Sequence, residues 1–337
     1  MSDDELPVLQ VTNLTVEHRE LFGDREISLR GVTISLDRGE VLAVAGESGC
    51  GKSVLTRAVS GGLGPDYRVV SGSVRLAGEE LLRFSKGRMR EVRRKRITFV
   101  DSDPRNHLNP TVTVRRHLRE AILQAGKAEE FGDEREWSAL FSEVGIVDPE
   151  EILETRGAQL NPLLIQRIML LTAIVSGAEL IVCDNPTEQL DGVAENQFFE
   201  VLNEVKRERR VGVLLTLGHL SCVEKIAERV CVLYRGGVLE CGSVERILSG
   251  PDFAYTREFW EASPHLEKRR KRLTVISSDA AREAEEAIHR TASSLDAARR
   301  SRVYLRTEER RSGGADSGKD DGHTSPIPGM AGDEDEA

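Results

Sequence analysis

No uninterrupted apolar run in this chain approaches the roughly 20 residues that a helix needs to cross a bilayer. The acidic opening Met1-Ser-Asp-Asp-Glu5 does not resemble a signal peptide. Cysteine is scarce, and Cys50, Cys183, Cys222, Cys231 and Cys241 show no C-x-x-C spacing. Several of them sit in apolar, strand-like runs, so buried reduced thiols and a cytosolic protein are expected. Positive charge is in the minority. A net charge of −10 argues against general affinity for nucleic acid. The basic stretch from Lys86 to Arg96 has no interleaved aromatics and reads as a solvated helix face. No internal repeat is apparent.

Apolar residues and glycine together make up roughly 48% of the 337 residues, enough for a sizeable core. The length suggests about two domain-sized units. Within it, Val41-Leu-Ala-Val-Ala45 reads as a buried strand, and Val54 to Val59 continue at helical spacing. Between them stands Gly46-Glu-Ser-Gly-Cys-Gly-Lys-Ser53, which fits the P-loop pattern G-x-x-x-x-G-K-[ST] in its strand–loop–helix context. Gly46, Gly49 and Gly51 let backbone N–H groups curl around phosphate oxygens, with the positive end of the next helix beneath them. Glu47, Ser48, Cys50 and Val54 complete the cradle. Lys52 can reach the β- and γ-phosphates, and the Ser53 hydroxyl can ligate Mg²⁺. A nucleoside triphosphate, ATP, is the expected ligand.

Residues 8–16, 27–36 and 73–77 alternate apolar and polar as half-buried strands do, and 97–100 is a short buried strand. Residues 111–176 carry helical periodicity at 114–123 and 137–147. Strands at 179–184 and 211–216 flank a helix at 193–207, the alternation of a doubly wound α/β core. Residues 230–234 and 238–241 form a hairpin turning at 235–237. Beyond residue 262 the composition changes. A charged, exposed helix is expected over 278–310 within a 263–311 extension, followed by a disordered acidic tail at 312–337. Lys268 to Arg272 form a basic linker.

The P-loop, the stretch Asp103–Pro110 and the strand-Asp-x-Pro-Thr-x-x-Leu-Asp run at 179–191 occur in order. Together they resemble the ATP-binding subunit of an ABC transporter, in the peptide/nickel (oligopeptide and dipeptide permease) branch. The run Pro251-Asp-Phe-Ala-Tyr-Thr-Arg257 strengthens that likeness, which covers residues 7–262. The resemblance implies a P-loop NTPase fold: a RecA-like α/β core, an antiparallel β subdomain and an inserted helical subdomain at about 105–176. It implies Mg²⁺ beside ATP, directed by Ser53 and Asp184. It also implies a head-to-tail pairing with a second ABC ATPase subunit, docking on integral membrane permease subunits and a place on the cytoplasmic face of the membrane.

Against the family pattern several positions depart. Asn185 stands where a glutamate orients or deprotonates water, and an amide cannot accept that proton. The signature reads Leu160-Asn-Pro-Leu-Leu-Ile-Gln-Arg167, where Asn161 can cap a helix with Pro162 at its first position, while an N–H donor is lost and Leu163 blocks close approach. Ser102 takes the place of the Q-loop glutamine, with Asp101 beside it as a substitute metal contact. The switch histidine aligns with Gly218, or with His219 if one residue is deleted from the next helix. The aromatic that stacks on adenine falls at His18 or Phe22. Leu190 and Asp191 match the D-loop. The C-terminal cysteine cluster of some relatives has no counterpart beyond Cys241, so no iron–sulfur cluster is expected. These departures concentrate at the γ-phosphate, implying an ATP-binding subunit of a peptide or small-solute importer with weak or absent hydrolysis. The alternative is a nucleotide-gated scaffold of the same fold whose 263–337 tail is its interaction element. A different P-loop enzyme, such as a kinase, would leave Asp103–Pro110 and Pro251–Arg257 unexplained.

Overall fold

A computed structural model describes residues 6–19, 25–106, 108–263 and 276–293. Phe22, the Lys268–Arg272 run and the expected acidic tail lie outside the described residues. The chain divides into two compact units, Met1–Ala292 and Ser293–Ala337, and the account below concerns the first.

The core is a six-stranded sheet in the order β10-β9-β3-β8-β7-β6. Its centre is β3 (Val41–Ala45), paired in parallel with β8 (Gly212–Leu217) on one side and β9 (Arg229–Tyr234) on the other. All five residues of β3 are buried, because both faces of the sheet are covered. Val41, Ala43 and Ala45 face one apolar cluster, and Leu42 and Val44 face the other. A parallel strand buried on both faces has no need to alternate, which explains its unbroken apolar run. Outward from β8 lie β7 (Leu180–Asp184) and β6 (Ile97–Val100), also parallel. β10 (Gly237–Ser243) closes the other edge as an antiparallel hairpin with β9.

A second, antiparallel sheet has the order β2-β1-β4-β5. Here β1 (Leu9–Arg19) pairs with β2 (Arg25–Leu36) and with β4 (Tyr67–Leu76), while β5 is the short Glu79–Glu80. β4 begins six residues before the expected Ser73, because its first half is held by pairing with β1 rather than by apolar residues.

Helices supply the remaining layers. α1 (Lys52–Val59) follows the P-loop, and α2 (Lys86–Lys95) buries only Met89 and Val92 while its arginines face solvent. Between β6 and β7 come α3 (Val114–Ala125), α4 (Ala128–Phe131), α5 (Trp137–Glu143), α6 (Pro149–Glu154) and α7 (Pro162–Ser176). α5 stops short of the expected 147, since Gly145 adopts φ +72° and turns the chain. α8 (Gly192–Arg209), α9 (Val223–Ile226), α10 (Val244–Ser249) and α11 (Ala254–Ala262) complete the body.

Two expectations are corrected. The helix over 278–293, α12, is not wholly exposed: Ala280, Ala284 and Ile288, spaced four apart, are buried in the main apolar cluster. Nor are all five cysteines reduced. Cys231 and Cys241 stand directly opposite in the β9–β10 ladder and are joined as a disulfide, while Cys50, Cys183 and Cys222 are free and buried. Cross-strand register brought the pair together, which linear spacing does not reveal. Burial pushes the Cys222 thiol up to about 12.

Candidate functional site

The loop between β3 and α1 opens one end of a cleft of about 920 Å³. Ser48, Gly49, Gly51, Lys52, Ser53 and Val54 face into it. The turn is possible because Gly51 has φ +109° and a Cβ there would meet the Ser28 carbonyl at 2.8 Å. Gly46, Glu47 and Cys50 stand behind the cradle. The Lys52 ammonium donates to the carbonyls of Gly46 at 2.5 Å and Glu47 at 2.9 Å, which holds its charge within the loop. The Cys50 thiol is buried 3.9 Å from that ammonium, and burial raises its pKa despite the opposing pull of Lys52.

Glu47 has a second partner that sequence reasoning missed. The buried Tyr255, on α11, donates its hydroxyl to Glu47 at 3.1 Å and packs on Tyr234. Burial, then the charge of Glu47, raises the Tyr255 pKa. Through Tyr255 the Pro251–Arg257 stretch thus buttresses the P-loop. Its signal was present as a buried aromatic at helical spacing, but its partner is 208 residues away.

The other end of the cleft is built on β7 and β8. Asp184 ends β7 and is almost fully buried. Its Oδ1 accepts from the Ser53 hydroxyl at 3.1 Å and from the Thr216 hydroxyl at 2.9 Å. The Thr216 hydroxyl also accepts from the Asn185 backbone N–H at 2.9 Å, so β8 fixes both residues. Ser53 and Asp184 bring a hydroxyl and a carboxylate together at the cleft floor, a hard-oxygen pair suited to Mg²⁺. Asp101, the substitute considered from sequence, instead accepts from the Ser102 N–H at 2.7 Å, and Ser102 is the one of the two that faces the cleft.

Asn185 itself has φ +51°, a left-handed conformation that asparagine adopts more readily than glutamate. Its amide donates to the Glu188 carboxylate at 3.0 Å, and both residues face the cleft. Glu188 was not singled out in the sequence. Gly218 also faces the cleft, with its position open toward the Asn185 side-chain oxygen, whereas the His219 ring hydrogen-bonds Ser221 at 2.7 Å and does not line it. His18 likewise stands one layer back, its ring 4.6 Å from that of Tyr67, and Tyr67 is the aromatic that lines the cleft. The pairing of His18 with Tyr67 across β1 and β4 was the missing information.

The altered signature stretch takes no part in this cleft. Asn161 caps α7 by accepting from the Leu164 N–H at 2.9 Å, with Pro162 at the first helical position, as its residue types predict. One turn further, the buried Gln166 donates to the carbonyls of Asp101 at 3.2 Å and Pro186 at 2.7 Å. It ties α7 to both segments that flank the β7 end of the cleft. Asp191 caps α8 through Val193 and Ala194 rather than facing the cleft.

A family model described as ABC transporter matches residues 29–188. The dipeptide transport ATP-binding protein DppD of Bacillus subtilis (strain 168) is 34% identical over 270 residues, covering 80% of each chain. The chain belongs to the ABC transporter family. It is also 30% identical over 269 residues to the oligopeptide transport ATP-binding protein OppD of Lactococcus lactis subsp. cremoris (strain SK11), covering 80% of this chain and 79% of that one. Among solved structures, a dimeric ATP-binding cassette in a post-hydrolysis state with ADP and Pi superposes with a TM-score of 0.60 at 19% identity. That match covers 70% of this chain and 98% of the other, and it speaks for the fold alone.

Proposed function

We propose that this ABC family member is the ATP-binding subunit of a transporter that imports peptides or a similar small solute, and that it holds Mg-ATP with weak or absent hydrolysis. One observation carries the reading: the P-loop and the Ser53–Asp184–Thr216 linkage are intact, while position 185 is a left-handed asparagine bonded to Glu188. The first set grips phosphate and metal. Ser53 and Asp184 would hold Mg²⁺, which would supply neutralisation of phosphate charge. The second leaves no carboxylate at position 185 to assist water, help worth about 10²–10⁴ in rate.

The peptide assignment rests on the likeness to DppD and OppD, whose names describe dipeptide and oligopeptide transport ATP-binding proteins. The same likeness supports partnership with membrane-spanning permease subunits, and no helix among the described residues is long and apolar enough to cross a membrane. The chain would then sit on the cytoplasmic face, paired with a second ABC ATPase chain. Each composite site would join one chain's P-loop to the other's signature, and Asn161-Pro-Leu163 would offer a poor grip to the partner's γ-phosphate. Slow, asymmetric turnover follows. Co-purification tests the assembly: the full chain should be recovered with permease subunits and a second ATPase chain. Recovery as a lone protein in cells that express those permease subunits would contradict it.

A further inference from the structure

The helix α12 lies beyond the expected limit of the nucleotide-binding domain, yet Glu285, Ile288 and His289 line the nucleotide cleft. Its seat is specific. Ile288 packs so closely on Gly237 that a Cβ there would meet Ile288 Cδ1 at 2.6 Å. Glu285 pairs with Arg235 in the β9–β10 turn, and the Ser277 N–H and hydroxyl donate to Glu258 at 2.6 and 2.9 Å. The ion pair is half-exposed and contributes about 1 kcal/mol at most. Burial of Ala280, Ala284 and Ile288 therefore does most of the holding.

The sheet order places this helix relative to a bound triphosphate. Asp184 and Thr216, which mark the metal and γ-phosphate end, stand on β7 and β8, to one side of β3. The β9–β10 turn stands on the other side. Its Gly236 N–H donates to the Cys50 carbonyl at 2.9 Å, and its Gly236 carbonyl accepts from the Arg30 N–H at 2.8 Å. A triphosphate cradled by the P-loop, with its γ end toward β7 and β8, projects its nucleoside toward Ile27, Tyr67 and that turn. α12 is fastened there. With it in place the cleft still measures about 920 Å³, near the upper end of about 300–1,000 Å³ for small-molecule sites. The helix therefore walls the site without filling it.

We propose that α12 is the outer wall of the nucleoside end, with Ile288 and His289 contacting the base or ribose of a bound nucleoside triphosphate. The assignment rests on the reading that the P-loop cleft takes such a ligand. It makes the extension part of the binding site, so nucleotide occupancy and helix docking stabilise one another.

Full-length protein separates these claims when titrated with Mg-ATP and, in parallel, with Mg-tripolyphosphate, which has the phosphate chain and no nucleoside. His289→Ala and Ile288→Asp should weaken ATP binding about 5–10-fold and leave tripolyphosphate within twofold. Should Ile288→Asp fail to fold, His289→Ala, on an exposed side chain, decides the matter. In wild-type protein, ATP should slow amide hydrogen exchange in 278–293 while tripolyphosphate should not. Unchanged ATP affinity in His289→Ala together with unchanged exchange would overturn the proposal. So would tighter ATP binding, which would make the helix an obstruction, or equal loss of both ligands. If wild-type protein binds neither ligand, the nucleotide reading itself fails, an outcome distinct from all of these.

Discussion

The two ends of the nucleotide cleft are made of different materials. At the P-loop end the lining is one loop, Ser48 to Val54, shaped by glycine dihedrals and by the strand and helix on either side. At the β7–β8 end the chemistry depends on individual side chains, those of Asp184, Asn185 and Glu188. A main-chain cradle survives substitution of most surrounding side chains, whereas one amide in place of one carboxylate removes a function. Phosphate binding and phosphate cleavage are thus separable within one fold. Under the proposed function the chain keeps the first set of groups and lacks part of the second.

Lys52→Ala attacks the P-loop end. It should raise the Kd for Mg-ATP about 100-fold, the loss of a charged hydrogen bond worth up to about 3 kcal/mol, as calorimetry would read. A small change would mean that backbone alone supplies the grip. Gln166→Ala attacks the side-chain end. It removes the hydrogen bonds to the Asp101 and Pro186 carbonyls and should cost about 2 kcal/mol in urea denaturation, with little effect on nucleotide affinity. Loss of ATP affinity in a folded variant would show the two ends to be coupled.

Asn185→Glu is the obvious repair, and the structure gives two reasons for it to fall short. A glutamate in the left-handed region costs about 1–2 kcal/mol, and it would meet the carboxylate of Glu188. The double variant Asn185→Glu/Glu188→Ala should therefore exceed the single one about 10-fold in turnover, measured with a partner chain that carries an intact signature. Equal rates for the two would remove Glu188 from the account. The smallest effect concerns the scaffold common to both ends. Burial disfavours the Glu179 carboxylate, but hydrogen bonds from Arg96 and from Arg38 at 2.9 Å outweigh it and leave its pKa lowered. Its contribution is complete above the unfolded value near 4.5 and fades as pH falls through the lower folded value. Glu179→Gln should destabilise by about 1–2 kcal/mol at pH 7, and the gap to wild type should close at low pH. A gap that persists in acid would assign the effect to packing.

Much of this was legible in the linear chain for physical reasons. The P-loop is a local motif, and β3, β7 and β8 are short apolar runs whose burial needs no partner to be inferred. The Asn161 cap and the hairpin at Arg235 follow from nearest neighbours. The unforeseen features are long-range: Tyr255 beneath Glu47, Tyr67 in front of His18, the Cys231–Cys241 bridge and α12 against Gly237. Asn185 could be read as a substitution, but its positive φ and its bond to Glu188 could not. Composition also misjudged α12, because three apolar residues spaced four apart are easily lost among so many charges.

The central claim is that the chain retains nucleotide but scarcely cleaves it. Purified full-length protein, assayed side by side for Mg-ATP binding and phosphate release, tests this most directly. The account predicts a Kd on the order of 1 μM or weaker, about −8 kcal/mol at that value, with negligible release by the isolated chain. Brisk hydrolysis by that chain, or no binding at all, would contradict it.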